Sequence, residues 1–375
     1  MGHTTGERTG DTVKNEKFCR TDLAVEWPHA EKETLPRGVF YESEKRAGFS
    51  VHTLKISSPE GALALGKEQG QYRTYEIGRP WNFSDETLER AVSLLAEGLR
   101  ELAFGEKGGA RGACTKDACP IDLSAGASFF EQAAADGGAE GAAQREARKD
   151  EADRKDEADR KDETARRSAV AEEQAPEKEE DCVLVVGLGN RAMTADAIGP
   201  MVVDRITVTR HVKRLDPPLF RRLAHRSVAA FCPGVLGQTG MESADGVKAV
   251  ACTLRPRLLL VIDALAARSP DRLAATVQLS TGGIAPGSGV GNNRPAFTRD
   301  SMGLPVIAIG VPMVVDSSTL VSDALEKAGI FDLPPALLPV LENGRSFFVS
   351  LKEADAANEA MADLLSRAID RAMSL

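Results

Sequence analysis

An α/β protein built on a mostly parallel sheet flanked by helices is what this sequence predicts, with a small α+β part at its N-terminal end. Three observations lead there. Short apolar runs of β-formers recur at residues 182–186, 228–232, 258–262, 275–279 and 305–309. Helical periodicity fills gaps between them, at 196–207, 241–253 and 320–328, and a last amphipathic pattern covers 354–373. Strands that alternate with helices form βαβ units, and those units build parallel sheets. Finally, two of the runs lead into polar punctuation of a telling kind: the first into Gly187-Leu188-Gly189-Asn190 and then Asp196, the second directly into Asp263. The carboxyl ends of buried parallel strands are where open α/β sheets place their sites.

In chain order, residues 1–20 form a polar leader whose composition reads as disordered. Residues 21–104 are mixed. Strand-like pieces fall at 49–56 and 72–77, followed by a helical pattern over 85–102. That pattern places Leu88, Ala91, Leu94, Leu95 and Leu99 on one face, with Ser84 or Asp85 as N-cap. Residues 105–180 change character: Gly and Ala in excess, then Lys-Asp-Glu-Ala-Asp-Arg from Lys149, repeated from Lys155 and degraded from Lys161. A six-residue period has no apolar stripe to bury and matches no heptad, so this stretch reads as a charged, disordered tether with no part in chemistry. Residues 181–375 read as the globular core.

Composition excludes several classes. A net charge of −9 lacks the basic face of a nucleic-acid binder. No apolar run approaches the ~20 residues of a membrane span, and residues 1–17 contain no apolar segment of a secretion signal. The six cysteines form no C-x-x-C pair, the usage of a reduced, cytoplasmic protein.

The glycine turn after 182–186 invites a dinucleotide reading, but Met193 stands where the third glycine of G-x-G-x-x-G belongs, and no acid follows on a next strand. The glycines serve instead to turn the backbone sharply and bring the next loop over the sheet. Phosphate-loop, G-x-S-x-G and H-E-x-x-H motifs are absent, so no cofactor or metal is expected. Cys232 ends an apolar run without a histidine partner, which argues against a thiol nucleophile. Two further glycine-rich loops, 231–240 and 281–293, offer backbone N–H groups to a ligand or serve as plain surface loops. Asp196 and Asp263 remain. Asp196 has a bland alternative as a helix N-cap, a role Thr194 could share, whereas Asp263 directly follows an apolar run and needs a reason to be there. Two carboxylates in one crevice can share a proton, one acting as acid and the other as base, and the sequence does not say which.

These residues lie in strings that resemble the germination protease family of spore-forming bacteria. The likeness runs through Val185-Val186-Gly187-Leu188-Gly189-Asn190, Thr194-Ala195-Asp196-Ala197-Ile198-Gly199-Pro200, Thr209-Arg210-His211, Ile262-Asp263-Ala264-Leu265-Ala266-Ala267-Arg268-Ser269 and Pro286-Gly287-Ser288-Gly289-Val290-Gly291-Asn292. Near the N-terminus Arg20-Thr21-Asp22-Leu23-Ala24-Val25-Glu26 also matches, while 105–180 does not. The resemblance implies a cytoplasmic, homotetrameric zymogen of the forespore that degrades small acid-soluble spore proteins. It also implies a fold similar to hydrogenase-maturation endopeptidases, and it puts the family's two proposed catalytic aspartates on Asp196 and Asp263. Family substrates are cut after the acid in hydroxyl, acid, apolar, small sequences, and Thr21-Asp22-Leu23-Ala24 has that chemistry. Self-cleavage is therefore expected between Asp22 and Leu23, with 1–22 as propeptide and 23–104 as the N-terminal part of the protease domain. Two rival readings stand beside it: a metal-assisted endopeptidase using the same acids with a histidine such as His211, and a nucleotide- or peptide-binding module that cuts nothing.

Overall fold

Successive residues of a strand point to opposite faces, so a strand buried on both sides reads as an unbroken apolar run. Residues 182–186 do this in the computed structural model of the chain, which describes residues 13–14, 20–26, 35–105, 181–288, 294–344 and 347–375. Val183 and Val185 enter one hydrophobic cluster, while Leu184 and Val186 enter another on the opposite face. Leu258, Leu260 and Ile262 divide from Leu259 and Val261 in the same way.

Eleven strands form among the described residues: β1 (Val13–Lys14), β2 (Val39–Arg46), β3 (Phe49–Ile56), β4 (Gly70–Glu76), β5 (Cys182–Gly187), β6 (Ser227–Phe231), β7 (Leu258–Ala267), β8 (Thr276–Ser280), β9 (Val306–Asp316), β10 (Asp332–Leu333) and β11 (Phe348–Val349). β1 pairs with β10, and the rest make one sheet ordered β2-β3-β4-β8-β9-β7-β5-β6, with β11 on the end of β9. Strands β9, β7, β5 and β6 are mutually parallel, as the βαβ pattern requires. Strands β2, β3, β4 and β8 form an antiparallel series that joins β9 antiparallel, so the sheet is mixed. The N-terminal α+β part is thus an extension of the central sheet. The reason is β4, whose buried Thr74 and Tyr75 pair with β8 rather than closing a core of their own.

The helix Asp85–Phe104 starts where expected: the Ser84 hydroxyl accepts the Thr87 N–H. It packs beside the helix Ala354–Met373 on one sheet face, burying Leu95 and Leu99 with Met361, Leu365 and Ile369. Glu89 bridges Arg367 and Arg371 across the rim of that packing. The opposite face is covered by the helix Ser243–Leu254 through Ala244, Val247 and Ala251.

The expected helix over 196–207 breaks into a 3-10 turn, Thr194–Asp196, and the short helix Ile198–Val203. Close backbone approach dictates this segment. A Cβ on Gly187 would lie 2.4 Å from the Gly199 carbonyl oxygen, and one on Gly199 would lie 2.3 Å from that of Leu188. The two glycines press the helix start onto the end of β5. Gly187→Ala is therefore expected to cost about 1–3 kcal/mol through forced backbone shifts, read as a lower denaturation midpoint at unchanged m-value. The tether expected over 105–180 lies, apart from Gly105, outside the described residues. Among the described residues, no helix is long and apolar enough to cross a membrane.

Candidate active site

The glycine-bearing loops that follow β5, β6 and β8 converge beyond the carboxyl ends of the parallel strands β5 and β6. Leu188–Asn190 after β5, Val235–Gly237 after β6 and Pro286–Gly287 after β8 line one cavity of ≈ 430 Å³, and Asp196, Asp263 and Asp22 line it with them. All three acids singled out in the sequence therefore face the same space.

Asp263 sits inside β7, not after its end, because β7 continues to Ala267 alongside β9. Its other neighbour stops: β5 runs out at Gly187, opposite Ile262, and the Leu188 N–H makes the last bond to the Ile262 carbonyl. Asp263 is thus the first residue of β7 beyond the end of β5, at the lip of the crevice. Asp263 therefore lies at a strand end on the β5 side only. The alternation places its side chain on the face of Leu259 and Val261, away from the two long helices. It is only 4% exposed. Burial raises its carboxyl well above the ordinary aspartate range, and the charges of Asp196 and Asp22 add to that, against the weaker pull of the Ala264 N–H.

Asp196 does not cap a helix. Ala197 occupies the N-cap of Ile198–Val203 without a side-chain bond, and the Thr194 hydroxyl donates to Asp355 instead. The Asp196 carboxylate turns back and accepts the Asn190 N–H at 2.8 Å. Gly189, at φ +109°, allows this: a Cβ there would meet the Asp196 carbonyl oxygen at 2.1 Å and Oδ1 at 2.8 Å. The glycine turn therefore exists to seat an acid, not a dinucleotide. Half-buried, Asp196 is also raised, chiefly by burial, with the Asn190 N–H opposing.

Asp22 reaches the crevice from the N-terminal segment Arg20–Glu26, which ends in a 3-10 turn at Ala24–Glu26. Its N–H donates to the Ala266 carbonyl and its Oδ2 accepts the Ala266 N–H, both at 2.9 Å. The Ser288 hydroxyl donates to its other carboxylate oxygen. Leu23 is fully buried against Leu265, Leu273 and Val315, and the Ala24 N–H donates to Gln278 Oε1 at 2.8 Å. Glu26 anchors the far end by accepting the N–H groups of Arg268 at 2.7 Å and Ser269 at 3.0 Å. Hydroxyl, acid, apolar and small side chains each have a distinct environment here.

Three contacts escaped the sequence reading: Lys67, Gln278 and Ser288. Gln278 left only a faint signal, a large buried amide on the polar side of the alternating strand Thr276–Ser280, whereas Lys67 follows the helix Pro59–Leu65 with nothing to mark it. Other expectations separate. His211 lines a different cavity with Arg214 and Leu254, apart from both aspartates. Among the described residues, no three His, Cys, Asp or Glu side chains gather as metal ligands. The Cys232 thiol is pushed up by burial, the wrong direction for a nucleophile.

Fold and site together define an α/β protein whose crevice is built on carboxylates and holds a segment of its own chain. The germination protease family profile matches residues 142–328. The chain is 36% identical over 307 residues to the germination protease of Caldanaerobacter subterraneus subsp. tengcongensis, covering 82% of this chain and 72% of that one. It is 42% identical over 346 residues to the germination protease of Clostridium perfringens (strain 13), covering 91% and 82%. Against that of Bacillus subtilis (strain 168) it is 33% identical over 318 residues, covering 83% and 67%. The chain belongs to the germination protease family and is a peptidase.

Proposed function

We propose that this chain is the endopeptidase that begins the breakdown of small acid-soluble spore proteins at germination, made as a zymogen that cuts itself between Asp22 and Leu23. The observation that carries the reading is the cavity shared by Asp22, Asp196 and Asp263. Water entering there attacks the Asp22 carbonyl carbon while an ionised aspartate takes its proton. The second aspartate, protonated, gives a proton to the leaving Leu23 nitrogen. Asp263 is the more deeply buried and is repelled by two other acids, which suits the proton-bearing role. Asp196 keeps an N–H bond that favours its carboxylate and suits the base. As a coupled pair they titrate together.

Family membership supports the protease and its part in germination. The contacts of the bound segment support the substrate class: Ser288 and the Ala266 N–H receive an acid, an apolar pocket receives Leu23, and Gln278 receives the backbone after it. An exogenous chain with hydroxyl, acid, apolar and small residues would satisfy the same contacts once 1–22 has left. N-terminal sequencing of matured protein is expected to begin at Leu23. A first residue outside 22–24 would show that this segment is a structural strap and not a substrate.

The metal-assisted alternative has no geometric support from His211. A binding module that cuts nothing leaves the carboxylate pair without a task.

A further inference from the structure

Asp22 is the partition between two cavities. On one side it borders the space holding Asp196 and Asp263, and on the other it borders a second cavity, of ≈ 420 Å³, lined by Lys67, Tyr72 and Gln278. Its carbonyl oxygen points to the second side. Lys67 Nζ donates to that oxygen at 2.9 Å, and Gln278 Nε2 donates to it at 3.4 Å. No other described carbonyl receives both a lysine and a glutamine side chain.

The sheet explains the arrangement. Asp263 on β7 lies opposite Gly310 on β9, and Gly310 lies opposite Gln278 on β8. Directly opposed residues project from the same face. The aspartate and the glutamine therefore stand on one face with only a glycine between them, and the segment Asp22–Ala24 is tied to both flanks, to Ala266 on β7 and to Gln278 on β8. Lys67 enters from below the helix Pro59–Leu65, where the left-handed Gly66 turns the chain. Burial lowers its ammonium from the ordinary value, opposed by the charges of Asp22 and Glu26.

We propose that Lys67 and Gln278 are the oxyanion clamp of this protease, polarising the carbonyl of the acidic residue whose bond is cut while the aspartates deliver water from the opposite cavity. The inference rests on the reading that the bond between Asp22 and Leu23 is the one hydrolysed. When the water oxygen bonds to the Asp22 carbon, its proton passes to the carboxylate base, and the carbonyl oxygen becomes an anion between Nζ and Nε2. Collapse re-forms the carbonyl, breaks the C–N bond and protonates the Leu23 nitrogen from the second aspartate. The products are the Asp22 carboxyl group and the Leu23 amine. Donors preset toward a developing anion carry no reorganisation cost at that moment, and losing one lowers rates by about 10²–10³-fold.

A carbonyl contact could instead be a latch that merely docks the leader, and the test separates the two. The first-order rate of self-cleavage in full-length protein is followed by intact mass at one mildly acidic pH, alongside hydrogen exchange of residues 20–26. Lys67→Met keeps the length and removes the charge; Gln278→Glu keeps the acceptor for the Ala24 N–H and removes the donor. The clamp predicts a fall of about 100-fold or more for Lys67→Met and about tenfold or more for Gln278→Glu. It also predicts that exchange protection at 20–26 persists, since Ala266 and Glu26 still hold the segment. A wild-type rate, or a loss of rate matched by loss of protection, overturns it. If Lys67→Met does not fold by circular dichroism, Gln278→Glu decides alone. Asp263→Asn runs as the control: if it still cuts, the aspartate reading itself has failed, whereas a block there with free cutting in Lys67→Met rejects the clamp only.

Discussion

Under the proposed mechanism, Asp263→Asn is expected to leave the bond between Asp22 and Leu23 uncut, with intact mass unchanged after an incubation in which the wild type is cut. Asparagine matches aspartate in shape, so the buried site on β7 keeps its packing, but the amide cannot pass a proton to the leaving Leu23 nitrogen. General acid or base catalysis by one positioned group is worth about 10²–10⁴-fold, and a pair acting as a unit loses most of its effect with either member. Asp196→Asn should therefore lie in the same range, not at half the loss. Normal maturation of both single variants would sink the carboxylate mechanism. Maturation of Asp196→Asn alone would show that Asp263 needs no partner.

The same Asp263→Asn protein is expected to be more stable than the wild type at pH 7. The sign follows from the raised carboxyl. In the unfolded chain Asp263 ionises near its ordinary value of 3.8, while in the fold burial and the charges of Asp196 and Asp22 hold the proton on. Folding at neutral pH therefore has to keep a proton on that carboxyl or bury its charge, and either is costly. The favourable contribution of the protonated form is fully present below 3.8 and is lost as pH rises through the folded value. Asparagine is neutral throughout and avoids the loss. The advantage at pH 7 is read as a higher denaturation midpoint for Asp263→Asn at unchanged m-value. The gap should close as pH falls towards 4, about the ordinary aspartate value. A wild type equal to or more stable than Asp263→Asn at pH 7 would mean that its carboxylate is paired in solution. Loss of activity with gain of stability at one position is the mark of a site kept strained for chemistry.

The two results together bear on the leader. Asp22 is one of the charges that hold the proton on Asp263, so the segment Arg20–Glu26 helps to set the protonation of the aspartate pair. Under the proposed self-cleavage the new Asp22 carboxyl group would lie in the same crevice, and its departure would lower that repulsion for later substrates.

Much of the chain could be read in advance because its central strands are buried on both faces and its long helices on one. An unbroken apolar run at 182–186 and a 3.6-residue stripe over 354–373 each admit few other placements. The strand Val39–Arg46 went unread for the opposite reason. It is a sheet edge carrying Glu42, Glu44, Lys45 and Arg46, so charge masks its β character while protecting the edge from pairing. The antiparallel half of the sheet was equally hidden, since direction of pairing leaves no trace in alternation.

For the site, the sequence by itself singled out the candidate acids. Asp196 follows a glycine turn, where a helix N-cap is the bland alternative, and Asp263 follows an apolar run; Asp22 stands in a segment that the family resemblance likens to a substrate. Only the tertiary structure decided that the three share one cavity, that Asp196 turns back to Asn190 instead of capping a helix, and that the Asp22 carbonyl meets Lys67 and Gln278. Local pattern records the burial of a residue and the turn it makes. Which side chain stands across a sheet, 241 residues further along the chain for Asp22 and Asp263, depends on strand order and register. Those are set by the packing of the whole core and by no segment alone.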